Sequence, residues 1–246
     1  FLVPVGQLLV WAWQNTGDFD SRYLGLLLHT LQLGVMAAAA TVLIAILLAY
    51  ARRIENGPIT RRAVAAATIV YAMPGSVLAV GIMLSFTWID NRLAELLGTG
   101  GQWLSGTVFA LILAYITRFM AVAYGAVDSS LEQIRPVLGD AARLLGARHI
   151  EVIRRVYVPM LRPGLLTAAL LVAVDVMKEL PATLLLRPFG SDTLAVQIFE
   201  LTSEGMWQRA ALPAVALVAL GLVPVVLLVS RSAQGHVARR QPEILE

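Results

Sequence analysis

The stretch Asp140-Ala141-Ala142-Arg143-Leu144-Leu145-Gly146, followed after nine further positions by Val156-Tyr157-Val158-Pro159, decides how the rest of the chain is read. It is polar and carries arginine, yet it lies between long apolar runs. Two alanines beside a carboxylate give a narrow helical face. The glycine sits where such a helix has to stop, because glycine enters the left-handed turn at little steric cost. Pro136 opens this short helix at its first turn, and residues 149–157 form a second one that runs up to Pro159. Upstream, Asp128-Ser129-Ser130-Leu131-Glu132-Gln133 reads as a helix start, with Ser130 and Gln133 at the spacing of a capping box. In a chain otherwise built for lipid, a polar helical segment too long for a turn is shaped to touch another protein. The alternative is an amphipathic helix lying on the membrane, its arginines on anionic lipid.

Of the 246 residues, 58% are hydrophobic and only 14% charged, so the useful count is of membrane spans. A bilayer asks for about 20 consecutive apolar residues per helix. Residues 1–13 form a partial apolar run, interrupted by Pro4 and Gly6, with Trp11, Trp13 and Tyr23 as interface aromatics around a polar loop at 14–22. Full spans are expected at 24–50, 63–88, 104–125, 164–186 and 210–230. In the first, Gly34, Ala37 and Ala38 offer either a face for close helix packing or simple apolar filling. In the second, Met73-Pro74-Gly75 predicts a kink. Residues 89–103 read as a loop or short interfacial helix, 187–209 as a loop, and 231–246 as a polar tail. The fold class is therefore an all-α membrane protein, a multi-span helical bundle of about six transmembrane helices with the first truncated. A single transmembrane domain covers 1–246, with a cytoplasmic loop at 128–160 inside it. No cleavable signal peptide is visible, and Phe1 with its short run leads us to expect a piece of something longer.

Short loops rich in arginine stay in the cytoplasm. Arg52, Arg53, Arg61 and Arg62 crowd the turn at 51–62, and Arg135, Arg143, Arg148, Arg154, Arg155 and Arg162 lie in 126–162. The tail adds Arg231, Arg239 and Arg240, whereas Arg22, Arg92, Arg187 and Arg209 fall on the other side. The 140–146 segment and the C-terminus are thereby expected inside. The net charge of +3 is this one-sided arginine excess at the lipid bilayer, and it gives no footing for nucleic-acid binding.

A second constellation, Asp175-Val176-Met177-Lys178-Glu179-Leu180-Pro181, falls inside the fourth expected span. Measured from Gly164 at about 1.5 Å per residue, Asp175 lies roughly 17 Å in and Glu179 roughly 22 Å, near or past the middle of an apolar core about 30 Å thick. Charges there must pair, facing the bundle interior or a water path. Asp175 and Lys178 share a helix face, and so do Asp175 and Glu179. They form either an ion pair that orders the bundle or a gate or lining of a substrate path, with Pro181 breaking the helix beside it. Arg118 in the third span is a further partner for these charges, or else it snorkels to the cytoplasmic face.

Several classes are excluded. Lys178 is the chain's single lysine and is followed by Glu179, so no Gly-x-x-x-x-Gly-Lys-Ser/Thr phosphate loop exists and the chain is not its own ATPase by that route. There is no cysteine, and His29, His149 and His236 have no metal-ligand spacing. No nucleophile elbow or zinc-protease signature occurs, so no catalytic site and no metal site are assigned.

The opening spacing resembles the cytoplasmic "EAA" coupling loop of ABC-transporter permeases: an acidic residue, two alanines, three free positions, a glycine, nine free positions, then Ile-x-Leu-Pro. Asp140 stands for the glutamate, Val156 for isoleucine and Val158 for leucine, while Ala141, Ala142, Gly146 and Pro159 match. The resemblance covers essentially the whole chain and implies a type I ABC-importer permease in a bacterial inner membrane. Its partners would be a cytoplasmic ABC ATPase dimer, an extracytoplasmic solute-binding protein and a second permease half, fused or homologous. ATP would be bound by the partner ATPase, with no cofactor in this chain. The run from Asp175 through Leu186-Arg187-Pro188-Phe189-Gly190 to Asp192-Thr193-Leu194-Ala195 is similar to iron(III) importer permeases, which implies ferric ion as substrate and this chain as a C-terminal half. Thiamine or a polyamine are alternative solutes. An ion-coupled secondary transporter, with Asp175 and Glu179 as its relay, is the rival of another class.

Overall fold

The computed structural model describes residues 2–18, 20–98 and 101–239, and every regular element among them is helical. Helix α1 (Leu2–Gln14) is short, and a 3-10 turn leads from it to α2 (Ser21–Ile54). Asp20 caps α2 by accepting from the Tyr23 backbone N–H at 2.9 Å. There follow α3 (Pro58–Ile69), α4 (Gly75–Leu97), α5 (Val108–Glu132) and α6 (Val137–Leu144). Helix α7 (His149–Val152) passes through a π turn, Ile153–Tyr157, straight into α8 (Val158–Met177). The chain ends with α9 (Pro181–Leu186), α10 (Leu194–Ser203) and α11 (Trp207–Arg239). Five of these stretches are long and apolar enough to cross a membrane: Arg22–Ile54, Gly75–Leu97, Val108–Glu132, His149–Met177 and Trp207–Val226. With the short α1 beside them, the bundle has the expected composition of full spans and one truncated helix.

The centre of the bundle is the trio α2, α5 and α8. Their contact faces are lined by small residues, with Ala37, Ala45, Ala114, Ala123 and Ala168 fully buried. Without large side chains between them, helix backbones can approach closely, which is how apolar helices associate where water gives no driving force. At Gly164 a Cβ would lie 1.9 Å from Ser130 Oγ, and at Gly34 one would touch the Met177 side chain at 3.3 Å. The small face of α2 is thus a packing face. Around this trio, α3 lies on α5, α4 packs with α9, and α1 and α10 both lie on α11.

Several expected boundaries are corrected. The second span is not one kinked helix but two helices separated at Met73, which is extended (φ −80, ψ 144), and the membrane-length helix is α4. Proline disfavours the helical region for the residue before it and has no N–H to continue the ladder. Residues 128–133 are the last turns of α5 rather than a helix start. Ser130 Oγ donates back to the Ala126 carbonyl at 2.9 Å, as serine does in a helix interior. Pro159 does not end its helix: the π turn just before it shifts the hydrogen-bond register, the Val158 N–H reaching back to the Ile153 carbonyl, and the proline stands in the first turn of α8. The expected loop at 187–209 contains α10, whose N-cap Thr193 accepts from the Val196 N–H. Helix α11 continues through 231–239, and residues 240–246 of the tail lie outside the described residues.

Candidate functional site

The alanine-glycine segment forms α6, and its end has the geometry the glycine predicts. Gly146 sits at φ +88, its N–H bonds the Arg143 carbonyl at 2.9 Å, and the Ala147 N–H bonds the Ala142 carbonyl at 3.0 Å. These two bonds close a Schellman cap, which satisfies otherwise orphaned carbonyls and turns the chain into α7. Asp140 and Arg143 form a solvent-exposed ion pair along the flank of α6, with side chains 56% and 41% exposed. Ala141 is exposed, Ala142 is half-buried against the core, and Leu144 and Leu145 are each 89% exposed. A polar helix tipped with two bare leucines has its free face turned away from the protein's own core.

What holds α6 in place is residues the sequence reading did not single out. A Cβ at Gly139 would stand 2.2 Å from the Tyr157 hydroxyl, so α6 is seated directly on that buried ring. Tyr157 in turn lies 5.6 Å from the Tyr50 ring and 5.2 Å from the Arg53 guanidinium. Arg53 donates to the Leu131 and Ile134 carbonyls, and the Tyr50 hydroxyl meets His149 Nδ1 at 3.2 Å. A cavity of about 260 Å³ lies between Tyr50, Arg53, Gly139 and Arg143. The end of α2, the end of α5 and the α6–α7 segment are therefore one polar and aromatic joint. The sequence signal was a glycine directly before the acidic residue, and a tyrosine inside the Val-x-Val-Pro element. Val156 is half-buried beside the core and Pro159 is exposed.

The second constellation lies where two helices are interrupted. Helix α8 stops at Met177, the Glu179 N–H bonds back to the Val176 carbonyl at 3.0 Å, and Pro181 opens α9. Glu179 is only 7% exposed. Its carboxylate pairs with Arg118 of α5, Nε to Oε2 at 3.0 Å, and Arg118 Nη1 donates to the Met73 carbonyl at 3.1 Å. Arg118 therefore joins the break at Met73 to the break at Glu179 and does not snorkel. Alongside, the Tyr115 hydroxyl meets Thr183 Oγ1 at 2.6 Å, and Thr183 donates to the Glu179 carbonyl. Asp175 pairs with Lys178 at 2.8 Å, as its spacing predicts, with the lysine side chain 63% exposed.

The shared face of Asp175 and Glu179 is corrected. The apolar helix runs from His149 and ends at Met177, so Asp175 lies in its last turn, and Glu179 lies beyond its end with a cation of its own. Gly75 is the residue missed here. A Cβ on it would lie 2.6 Å from Glu179 Oε1 and 2.8 Å from Arg118 Nη1. Among the described residues, no three His, Asp or Glu side chains gather into a metal-binding group.

A family model described as "Binding-protein-dependent transport system inner membrane component" matches residues 41–241. The Fe(3+)-transport system permease protein FbpB 2 of Haemophilus influenzae is 28% identical over 231 residues, covering 92% of this chain and 43% of that protein. The putative 2-aminoethylphosphonate transport system permease protein PhnV of Salmonella typhimurium is 29% identical over 152 residues, 62% of this chain and 53% of that one. The chain thus spans about half the length of these relatives. Among solved structures, a chain of a bacterial alginate ABC transporter, in complex with alginate pentasaccharide-bound periplasmic protein, superposes with a TM-score of 0.73 at 16% identity, covering 93% of this chain and 86% of its own.

Proposed function

The chain belongs to the family of binding-protein-dependent transport system inner membrane components, and we propose that it is the translocating, non-catalytic half of an ATP-driven importer whose α6 receives the motion of a separate cytoplasmic ATPase. The observation that carries this reading is the construction of α6. It is a rigid, capped helix whose outer face is exposed, while Gly139 and Tyr157 bind its inner face to the ends of α2 and α5. A push on α6 is therefore delivered to two helices of the central trio. Asp140, Ala141, Ala142 and Gly146 are the contact residues, with Val156 and Pro159 on the rod behind them. Residues 128–160 and the tail face the cytoplasm in this reading, supported by the arginine distribution.

The rest follows the logic of alternating access. ATP-driven closure of the ATPase dimer moves α6, the attached helices rock, and a path opens outward to solute from an extracytoplasmic binding protein; hydrolysis reverses it. ATP is bound by the partner, and a second permease half, fused or homologous, completes the path. We assign ferric ion as substrate, supported by the Haemophilus relative and by the run from Asp175 to Ala195. The Salmonella relative favours an organophosphonate as the second reading. Uptake of radioactive ferric ion, and in parallel of 2-aminoethylphosphonate, into proteoliposomes holding the complete transporter and its binding protein tests this. ATP-dependent entry of iron alone is expected; entry of the phosphonate alone replaces the substrate, and uptake of either without ATP replaces the importer reading.

A further inference from the structure

Both interrupted helices stop their backbone ladders at one junction, at Met73 ahead of Pro74 and at Lys178 to Leu180 ahead of Pro181. A segment beside such a break can tilt without breaking its own hydrogen bonds, whereas an unbroken helix moves only as a body. Helices α4 and α9 are the segments that follow the breaks, and they pack on each other, so they can move as one unit against α5. That unit meets α5 through apolar contacts, Phe86 stacked on Phe109 and Ala79, Ala182 and Leu186 in the shared core, and through a polar tie at the junction itself. Arg118 of α5 reaches Glu179 at 3.0 Å and the Met73 carbonyl at 3.1 Å, one contact on each side of the junction. Apolar contacts slide at small cost, but an ion pair this deeply buried has discrete made and broken states.

Gly75 is what allows the pair to form. Its φ is not in the left-handed region, so backbone freedom is not the requirement. Space is: the Cβ of any other residue would fall within 2.6 Å of the carboxylate and 2.8 Å of the guanidinium. The charges at the junction also balance in pairs, Asp175 with Lys178 and Glu179 with Arg118. A cation relay would need a carboxylate without a partner, and this junction, as it stands, offers none.

We propose that the Arg118–Glu179 pair is a latch, made in this conformation and released when the α4–α9 unit swings, and that Gly75 is the positioning residue that lets it close. The proposal rests on the importer reading. A ligand-free protein held in one conformation by such a pair shifts toward the other when the pair is removed, by the pair's differential stabilisation of the two states. Removing it should therefore let the ATPase cycle without its usual stimulus.

The test measures ATP hydrolysis by the complete transporter in proteoliposomes, with and without its loaded binding protein. Two variants are compared with the wild type: Gly75→Ala, and the double substitution Arg118→Leu with Glu179→Leu, which leaves no orphan charge to unfold the bundle. Each should raise unstimulated hydrolysis by about 5-fold or more, the lower end of couplings between two-state sites, and shrink the stimulation by the binding protein. Arg118→Lys, which keeps the charge, should fall between wild type and the double variant. If the wild type is stimulated and the variants hydrolyse ATP at the wild-type unstimulated rate or below, the latch is wrong and the importer reading stands. If the wild type shows no stimulation at all, both are wrong.

Discussion

Two carboxylate–arginine pairs of this molecule differ in how far water reaches them. Asp140 and Arg143 are neighbours on one exposed helix, with side chains 56% and 41% accessible. Glu179 comes from the break between α8 and α9 and Arg118 from α5, and they are 8% and 20% accessible. An exposed pair on a helix contributes about 0–1 kcal/mol, because water competes for both ions. A buried pair that loses one member strands the other in a low-dielectric surrounding, at a cost of about 3–5 kcal/mol. The same chemistry is thus a replaceable contact at one site and a structural commitment at the other. Asp140 is free to exchange Arg143 for a cation of another protein, whereas Glu179 can leave Arg118 only if the helices around it move.

That contrast can be broken experimentally. Glu179→Ala should give the largest loss of stability, about 3–5 kcal/mol, read as a fall in the thermal midpoint of the detergent-solubilised protein; an unchanged midpoint would mean the pair is not structural. Gly139→Ala should cost about 1–3 kcal/mol by overpacking, since its new methyl would meet the Tyr157 hydroxyl at 2.2 Å. It should also cut ATP-dependent uptake, because α6 would lift from its seat. Gly146→Asp should cost only about 1–2 kcal/mol, the strain of a left-handed residue, because a Cβ there meets nothing within 4 Å. Its uptake should nonetheless vanish while the protein still accumulates in the membrane, separating coupling from stability. Arg143→Ala should change the midpoint least, by under about 1 kcal/mol. A larger drop would show that Asp140 is held as firmly as Glu179.

The two regions were not equally legible in the sequence. The end of α6 was read correctly because it is local: a glycine after a short helix leaves the chain few alternatives, and Gly146 adopts φ +88. The partner of Glu179 was reached because buried charge must be paired and Arg118 was the cation available in a neighbouring span. Its geometry was not, since the second anchor is a backbone carbonyl at Met73, and a carbonyl has no signature. Proline misled in both directions. Pro74 divides two helices where a kink was expected, and Pro159 is passed without a stop because a π turn precedes it. Gly139 and Gly75 were invisible because each is needed for the space beside a side chain distant in sequence, which only packing reveals.

The most direct test of the central claim asks what the outer face of α6 touches. The chain has no cysteine, so Ala141→Cys places one thiol of this chain on that face. A photoactivated crosslinker attached there, in the complete transporter reconstituted in lipid, should join this chain to the ATPase with a yield that changes when ATP is bound. Adducts with lipid alone, at a yield indifferent to nucleotide, would contradict the coupling role and leave α6 as a helix resting on the membrane.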